Sequence, residues 1–204
     1  MRESSDRFGA KPVVLRCARC GKFVDWDDAK VQVVCACKPR IELPPVLVRE
    51  ATEADRRAAR ELFERDFGRT KIVAFGELID IEQMPALVAL MHQEPSGALA
   101  YRLFGDALHI AALATDPMWQ RSGVGGHLLA EAELLAERLG LTRIVVATTN
   151  DNLPALYFYQ RRGYRLTALE IDSITSHTRE MHAGFAGIPV RDEIRLEKVL
   201  GQTR

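Results

Sequence analysis

The stretch Gln120-Arg121-Ser122-Gly123-Val124-Gly125-Gly126 has the residue types and spacing to hold phosphate. It follows an apolar run over residues 108–115 that reads as a strand. It precedes residues 124–139, which read as an amphipathic helix, with Gly140 as its stop. Glycines between a strand and a helix let backbone N–H groups approach an anion closely. The helix end adds unpaired donors and a favourable dipole. Two other phosphate cradles are excluded. A dinucleotide fingerprint needs a third glycine where Leu128 stands, and a P-loop needs the missing Gly-Lys-Ser/Thr.

A second block follows: Asn152-Leu153-Pro154-Ala155-Leu156-Tyr157-Phe158-Tyr159-Gln160-Arg161-Arg162-Gly163-Tyr164. Together, Gln120-x-x-Gly123-x-Gly125 and this N-x-x-A-x-x-x-Y-x-x-x-G-Y segment resemble the GNAT N-acetyltransferases, from residue 46 to about 199. The resemblance implies an α/β (α+β) acyl-CoA N-acyltransferase fold, with a mixed sheet splayed around acetyl-CoA. It also implies that residues 120–126 (Gln120, Arg121, Ser122, Gly123, Val124, Gly125 and Gly126) hold the pyrophosphate. Backbone groups of Leu113, Ala114 and Thr115 would bind the pantetheine like an added strand and supply oxyanion donors.

Acetyl transfer to an amine needs a proton acceptor for the amine and a donor for the departing thiolate. The family often has its general acid where Tyr159 stands, and a phenol with a pKa near 10 suits a leaving thiolate. The bland reading is aromatic packing, since Tyr157, Phe158 and Tyr164 surround it. Asn152 is expected to cap its helix, to bond the cofactor, or both. His109, on the central strand, is the expected base, because imidazole titrates near neutrality; a half-buried structural histidine is the competing reading. Glu77, Asp80 and Glu82 are rivals for the base or for an ammonium site. His177 and His182 lie in the long connection between the last two strands and read as surface residues. Loops of that length often shape an acceptor site.

All four cysteines, Cys17, Cys20, Cys35 and Cys37, lie in the first 37 of 204 residues. The cytosol is the expected compartment, because the N-terminus lacks a signal-peptide core. There disulfides are disfavoured and metal is the leading reading. Cys17-Ala18-Arg19-Cys20-Gly21 has the form of a zinc knuckle, and Cys35-Ala36-Cys37 offers a second pair. Four thiolates would make a closed, structural Zn2+ site. Residues 22–34 would form a hairpin between the pairs, with Phe23, Val24 and Trp26 shielding the metal. The Leu43-Pro44-Pro45 linker then divides the chain into a zinc-ribbon-like module, 1–43, and an acetyltransferase domain, 46–204.

The net charge is zero and no apolar run could span a bilayer, so neither a membrane nor a nucleic-acid partner is indicated. The module carries a net +3, but Asp25-Trp26-Asp27-Asp28 at the hairpin tip would repel phosphate. The expected partners are acetyl-CoA and a small-molecule or peptide amine. The resemblance also allows a homodimer. The alternative from another class is a non-catalytic acyl-CoA-binding regulator that docks through its cysteine module; the presence of Tyr159 argues against it.

The remaining elements follow from pattern. A first strand over 46–49 leads into a helix capped by Thr52 and running to about residue 67. Residues 68–84 read as irregular. Three strands over 86–92, 97–103 and 107–115 form an antiparallel meander, with residues 93–96 and 105–106 as turns. A short buried strand covers 144–147, and the last strands cover 164–171 and 193–199.

Overall fold

The computed structural model describes residues 45–178 and 183–201. Of the first 44 residues it describes only three backbone strands. The chain divides into two units at Leu43/Pro44. In the first unit, β1 (Leu15–Arg16), β2 (Phe23–Asp27) and β3 (Gln32–Val34) form an antiparallel sheet, with Trp26 opposite Val33. Cys17, Cys20, Cys35 and Cys37 lie outside the described residues, as does His182.

The second unit begins with β4 (Leu47–Glu50). A short 3-10 turn then leads into α1 (Arg56–Phe67). The carboxylate of Asp55 organises this entry. It accepts from Thr52 N at 2.7 Å and from Arg49 through two bonds of 2.6 and 3.0 Å. Ala59, Leu62 and Phe63 recur at helical spacing and are buried against the sheet. Gly68 ends the helix at φ 71°, its N–H bonding Glu64 O, in the left-handed conformation that glycine adopts without strain.

Residues 68–84 are more ordered than their composition suggests. β5 (Lys71–Ala74) and β6 (Glu77–Asp80) form a hairpin. Its two-residue turn is Phe75-Gly76, both at positive φ. A phenylalanine is a poor turn residue. Burial of its ring in the core beside α1 holds it there, and no local sequence signal announces that.

Next come β7 (Ala86–Met91), β8 (Glu94–Phe104) and β9 (Ala107–Thr115). The first turn of this meander is tighter than expected. His92 and Gln93 make it, and Glu94-Pro95-Ser96 belong to the strand. A bulge beside Ala89 accommodates Pro95, and Ser96 Oγ donates to Ala89 O at 3.0 Å. α2 (Val124–Arg138) then crosses the sheet. It lies so close over Gly97 that a Cβ there would meet Val124 Cγ1 at 2.7 Å. β10 (Arg143–Thr149), α3 (Leu153–Gln160), β11 (Arg165–Glu170), α4 (Ser173–His177) and β12 (Glu193–Val199) complete the unit.

The sheet order is β11-β12-β10-β9-β8-β7-β4. Every described pairing in it is antiparallel except β9 with β10. α2 and Tyr159 of α3 cover one face, over Leu99, Leu108, Ile110 and Val146. α1 and the tip of the β5–β6 hairpin cover the other, over a floor of alanines that includes Ala98, Ala100, Ala112 and Ala114. Small side chains there let the helix approach the strands closely.

Candidate active site

The parallel pair opens partway along. Arg143 to Val146 pair with Ala107 to Ile110, and there the pairing stops. β9 continues to Thr115 and β10 to Thr149 without meeting. A bulge at Ala111, between the Ala100↔Ala112 and Tyr101↔Ile110 pairs, marks the point of divergence. Bulges bend and twist a strand, which is what parting it from its neighbour requires.

A cleft of about 490 Å3 fills this gap. Ala111, Ala112 and Leu113 line it from β9, and Ala147, Thr148 and Thr149 from β10. Asn152, Ala155 and Tyr159 of α3 line another wall. Asp66, Phe67, Arg69 and Lys71 reach it from the end of α1 and the start of the hairpin. Strand edges within the opening present backbone groups to whatever enters, as the edge of any sheet does.

At one mouth lies the glycine loop. Arg121 and Gly123 take positive φ, 63° and 104°, and α2 starts at Val124. The N–H groups of Gly123, Val124, Gly125 and Gly126 donate to no backbone carbonyl among the described residues. The first helical bond is His127 N to Gly123 O, at 3.1 Å. Four free donors at a helix N-terminus fit a pyrophosphate. Ser122 Oγ donates to Trp119 O, which holds the loop in shape. Gln120 and Arg121 are exposed beside it. Gly125 packs beside Leu113 and Phe158, so the loop and the cleft are contiguous.

Arg162 joins this mouth, and sequence reasoning missed its role. Its guanidinium stacks over the Phe158 ring at 3.8 Å and donates to Phe158 O at 3.0 Å. A Cβ on Gly126 would lie 3.0 Å from its Nη2. A cation is thus fixed over the helix start. Its distance of 36 residues from Gly126 hides this in the sequence.

Tyr159 is buried between Phe158 and Tyr164, at ring distances of 5.1 and 5.6 Å. Its hydroxyl makes no hydrogen bond among the described residues, and the side chain lines the cleft. Desolvation pushes its pKa above the ordinary tyrosine value, and the nearby Arg162 charge opposes this. A phenol in that state keeps its proton, as an acid must. Packing and cleft-lining roles therefore coincide. Tyr164, by contrast, bonds Glu133 at 3.2 Å on the far side. Asn152 caps α3 by accepting from Ala155 N at 3.1 Å and also lines the cleft.

His109 is not brought to this cleft. It lies where β10 is still paired to β9, opposite Val145, so the sheet is closed beside it. Its ring sits 4.4 Å from Phe75 and 5.4 Å from Phe104. Burial pushes its pKa down to about 4, helped by the charges of Arg102, Arg143 and Arg195. The ring is a neutral footing for the hairpin tip, and its Nδ1 has no hydrogen-bond partner among the described residues. The acidic rivals are also committed elsewhere. Glu77 pairs with Arg102 at 3.3 Å, Asp80 accepts from Glu82 N at 3.2 Å, and Glu82 faces Arg60 at 3.6 Å. His177 is exposed, its Nδ1 2.9 Å from Ser173 O.

Two carboxylates do line the cleft, and neither drew notice in the sequence. Asp151 is buried, bonded by Thr149 Oγ1 at 2.5 Å and by Phe185 N at 3.0 Å. It anchors the connection between the last strands, whose Ile174, Thr178 and Val190 reach the cleft. Asp66 stands exposed at the rim, and crowding by the neighbouring protein raises its pKa, opposed by Arg65. A carboxylate within a helix gives no sequence signal of its own; it reaches the cleft from the last turn of α1.

Among the described residues no group of side chains could hold a metal ion, and no helix is long and apolar enough to cross a membrane.

The profile of the acetyltransferase (GNAT) family matches residues 50–164. The uncharacterized protein YxbD of Bacillus subtilis (strain 168) is 31% identical over 144 residues, covering 68% of this chain and 89% of its own length. The uncharacterized N-acetyltransferase YvbK of the same organism is 32% identical over 89 residues, 44% of this chain and 57% of its own. Among solved structures, the IAA acetyltransferase from Bacillus cereus ATCC 14579 has a TM-score of 0.61 at 23% identity, over 76% of this chain and 100% of that one. A Bacillus subtilis acetyltransferase in complex with CoA has a TM-score of 0.60 at 22% identity, over 78% of this chain and 99% of that one. These two likenesses concern the fold. With the parted strands, the glycine loop and the family profile in agreement, the chain belongs to the acetyltransferase (GNAT) family.

Proposed function

We propose that this protein transfers an acetyl group from acetyl-CoA to a primary amine by direct attack. The observation that carries the reading is the gap between β9 and β10, with free helix-terminal N–H groups at one mouth and Tyr159 in its wall. The presence of CoA in the Bacillus subtilis relative, and of acetyl-CoA in a related acetyltransferase from Elizabethkingia anophelis, supports the choice of donor.

Acetyl-CoA, when bound, supplies the activated acetyl group. Residues 120–126 and Arg162 hold its phosphates, and the open edge of β9 at Leu113, Ala114 and Thr115 aligns the acetyl arm. Tyr159 holds the proton that the leaving sulfur takes up as the C–S bond breaks. Asp66, rather than His109, accepts the proton that the amine nitrogen releases as the new C–N bond forms. Its raised pKa favours that acceptance over an ordinary aspartate. All four cysteines precede residue 38, so the acetyltransferase domain has none to carry an acetyl-enzyme intermediate.

The N-terminal unit, in this reading, binds one structural Zn2+ through Cys17, Cys20, Cys35 and Cys37. The support is the spacing of the two cysteine pairs around the β2–β3 hairpin.

The test is thiol release from acetyl-CoA across a panel of amines. Amine-dependent release that falls in Asp66→Asn, with acetyl-CoA affinity retained, is the expected result. Tight acetyl-CoA binding without release for any amine would favour the regulator instead.

A further inference from the structure

We propose that the acceptor is a small zwitterion: a primary amine that also carries a carboxylate or a similarly compact anion, with a short apolar body. The inference rests on the acetyl-transfer reading and narrows its substrate.

It begins at the end of α1. Gly68 reverses the chain, and within six positions Asp66, Arg69 and Lys71 are all delivered to the cleft. The other arginines nearby are engaged. Arg57 pairs with Glu61 at 3.0 Å, Arg60 with Glu64 at 2.9 Å, and Arg65 with Asp116 at 2.5 Å. Arg69 and Lys71 make no ion pair or side-chain hydrogen bond with any described residue, and neither does Asp66. Asp151, the other acidic residue among the described residues that line the cleft, is satisfied by Thr149 and Phe185.

Among the described residues, the cleft therefore offers two uncommitted cations and one uncommitted carboxylate. A ligand that complements them carries one ammonium and one anion. An arginine fork matches a carboxylate closely, and a second cation in the same cleft adds to the attraction. Asp66 matches the ammonium; the amine reacts after losing that proton to solvent, and Asp66 then takes the one released as the C–N bond forms. A polyamine or aminoglycoside would need several free carboxylates, and the described residues of the cleft offer one. Phe67, Ile72 and Leu78 line the same cleft, the last 57% exposed. They suit an aliphatic or aromatic body. The volume of about 490 Å3 must also admit the acetyl arm, so the acceptor is small.

The test uses the full chain and matched pairs at saturating acetyl-CoA, read by thiol release. Leucine is compared with isopentylamine, phenylalanine with phenethylamine, and each amino acid with its amide. Aminophosphonate counterparts separate carboxylate from other anions. The acidic member of each pair should be preferred by about ten- to a hundredfold in kcat/KM, the usual range for a charge-assisted contact. Arg69→Gln with Lys71→Gln should collapse that ratio, and Arg69→Glu should reverse it. Both positions are exposed, so folding is not at stake. Equal or better turnover of the uncharged partners, or of amides and dipeptides, overturns the inference and leaves the transferase intact. So does a ratio indifferent to both substitutions. Absence of release with every amine, despite acetyl-CoA binding by calorimetry, removes the transferase reading itself.

Discussion

His109 and Leu113 lie four residues apart on one strand and face opposite sides of the sheet. A regular strand would align them, because side chains alternate with a period of two. The bulge at Ala111 inserts one residue and exchanges the faces beyond it. Leu113 packs toward α2, and His109 packs under Phe75 on the α1 side. The same bulge lies where β10 leaves β9. One local irregularity thus opens the cleft and leaves the histidine behind in the closed part of the sheet.

That placement gives a first prediction. His109→Phe should retain turnover within a few-fold, since the ring only supports the hairpin tip. It should also change the pH dependence of stability. Below pH 6.5 the unfolded chain takes up a proton that the folded protein refuses until about 4. Stability therefore falls as pH falls across that window, by about 1–2 kcal/mol after allowing for the partly exposed ring. Urea midpoints at pH 7 and pH 4.5 should converge in the variant. A hundredfold loss of turnover would return the base role to His109.

Tyr159→Phe should lower kcat by about a hundred- to ten-thousand-fold while acetyl-CoA affinity changes little. The ring stays packed between Phe158 and Tyr164, and only the proton donor goes. Because burial raises the wild-type pKa, the alkaline limb due to this group should lie above the ordinary value of about 10. Single-turnover kinetics that isolate the chemical step, and show no change, would leave Tyr159 as a packing residue.

The phosphate cradle can be tested with two changes at one position. A Cβ on Gly125 meets Leu113 and Phe158 at 3.5 Å, an ordinary contact, so Gly125→Ala should fold normally. Gly125→Asp adds a negative charge beside the free N–H groups and should weaken CoA binding at least tenfold by calorimetry. Arg162→Gln should weaken it too, and more at low salt than at high salt. Unchanged affinity in folded Gly125→Asp would move the pyrophosphate elsewhere.

For the N-terminal unit, elemental analysis of protein purified without chelator should find one zinc per chain. Serine at Cys17 and Cys20 should abolish it and leave acetyl-CoA affinity in place, since the second unit has its own core. Four freely reactive thiols with negligible zinc would rule the site out.

The glycine loop, the Asn152–Tyr164 block, the antiparallel meander and most element boundaries were legible in the sequence. Each is local chemistry: glycines beside a helix start, a cap, an apolar period. Three features were not. The Phe75-Gly76 hairpin has no turn signature, because tertiary burial of the ring holds the turn. The Ala111 bulge falls in an unbroken apolar run, where nothing distinguishes one alanine from the next. The roles of Asp66, Arg69 and Arg162 depend on where other segments end. Asp66 reaches the cleft from the last turn of α1, and Arg69 because Gly68 turns the chain there. Arg162 reaches the cradle because α3 packs beside the start of α2, a long-range contact that no spacing along the chain encodes. Residue types and local periods determined what chemistry this chain can hold; packing between distant segments decided which charges share the cleft.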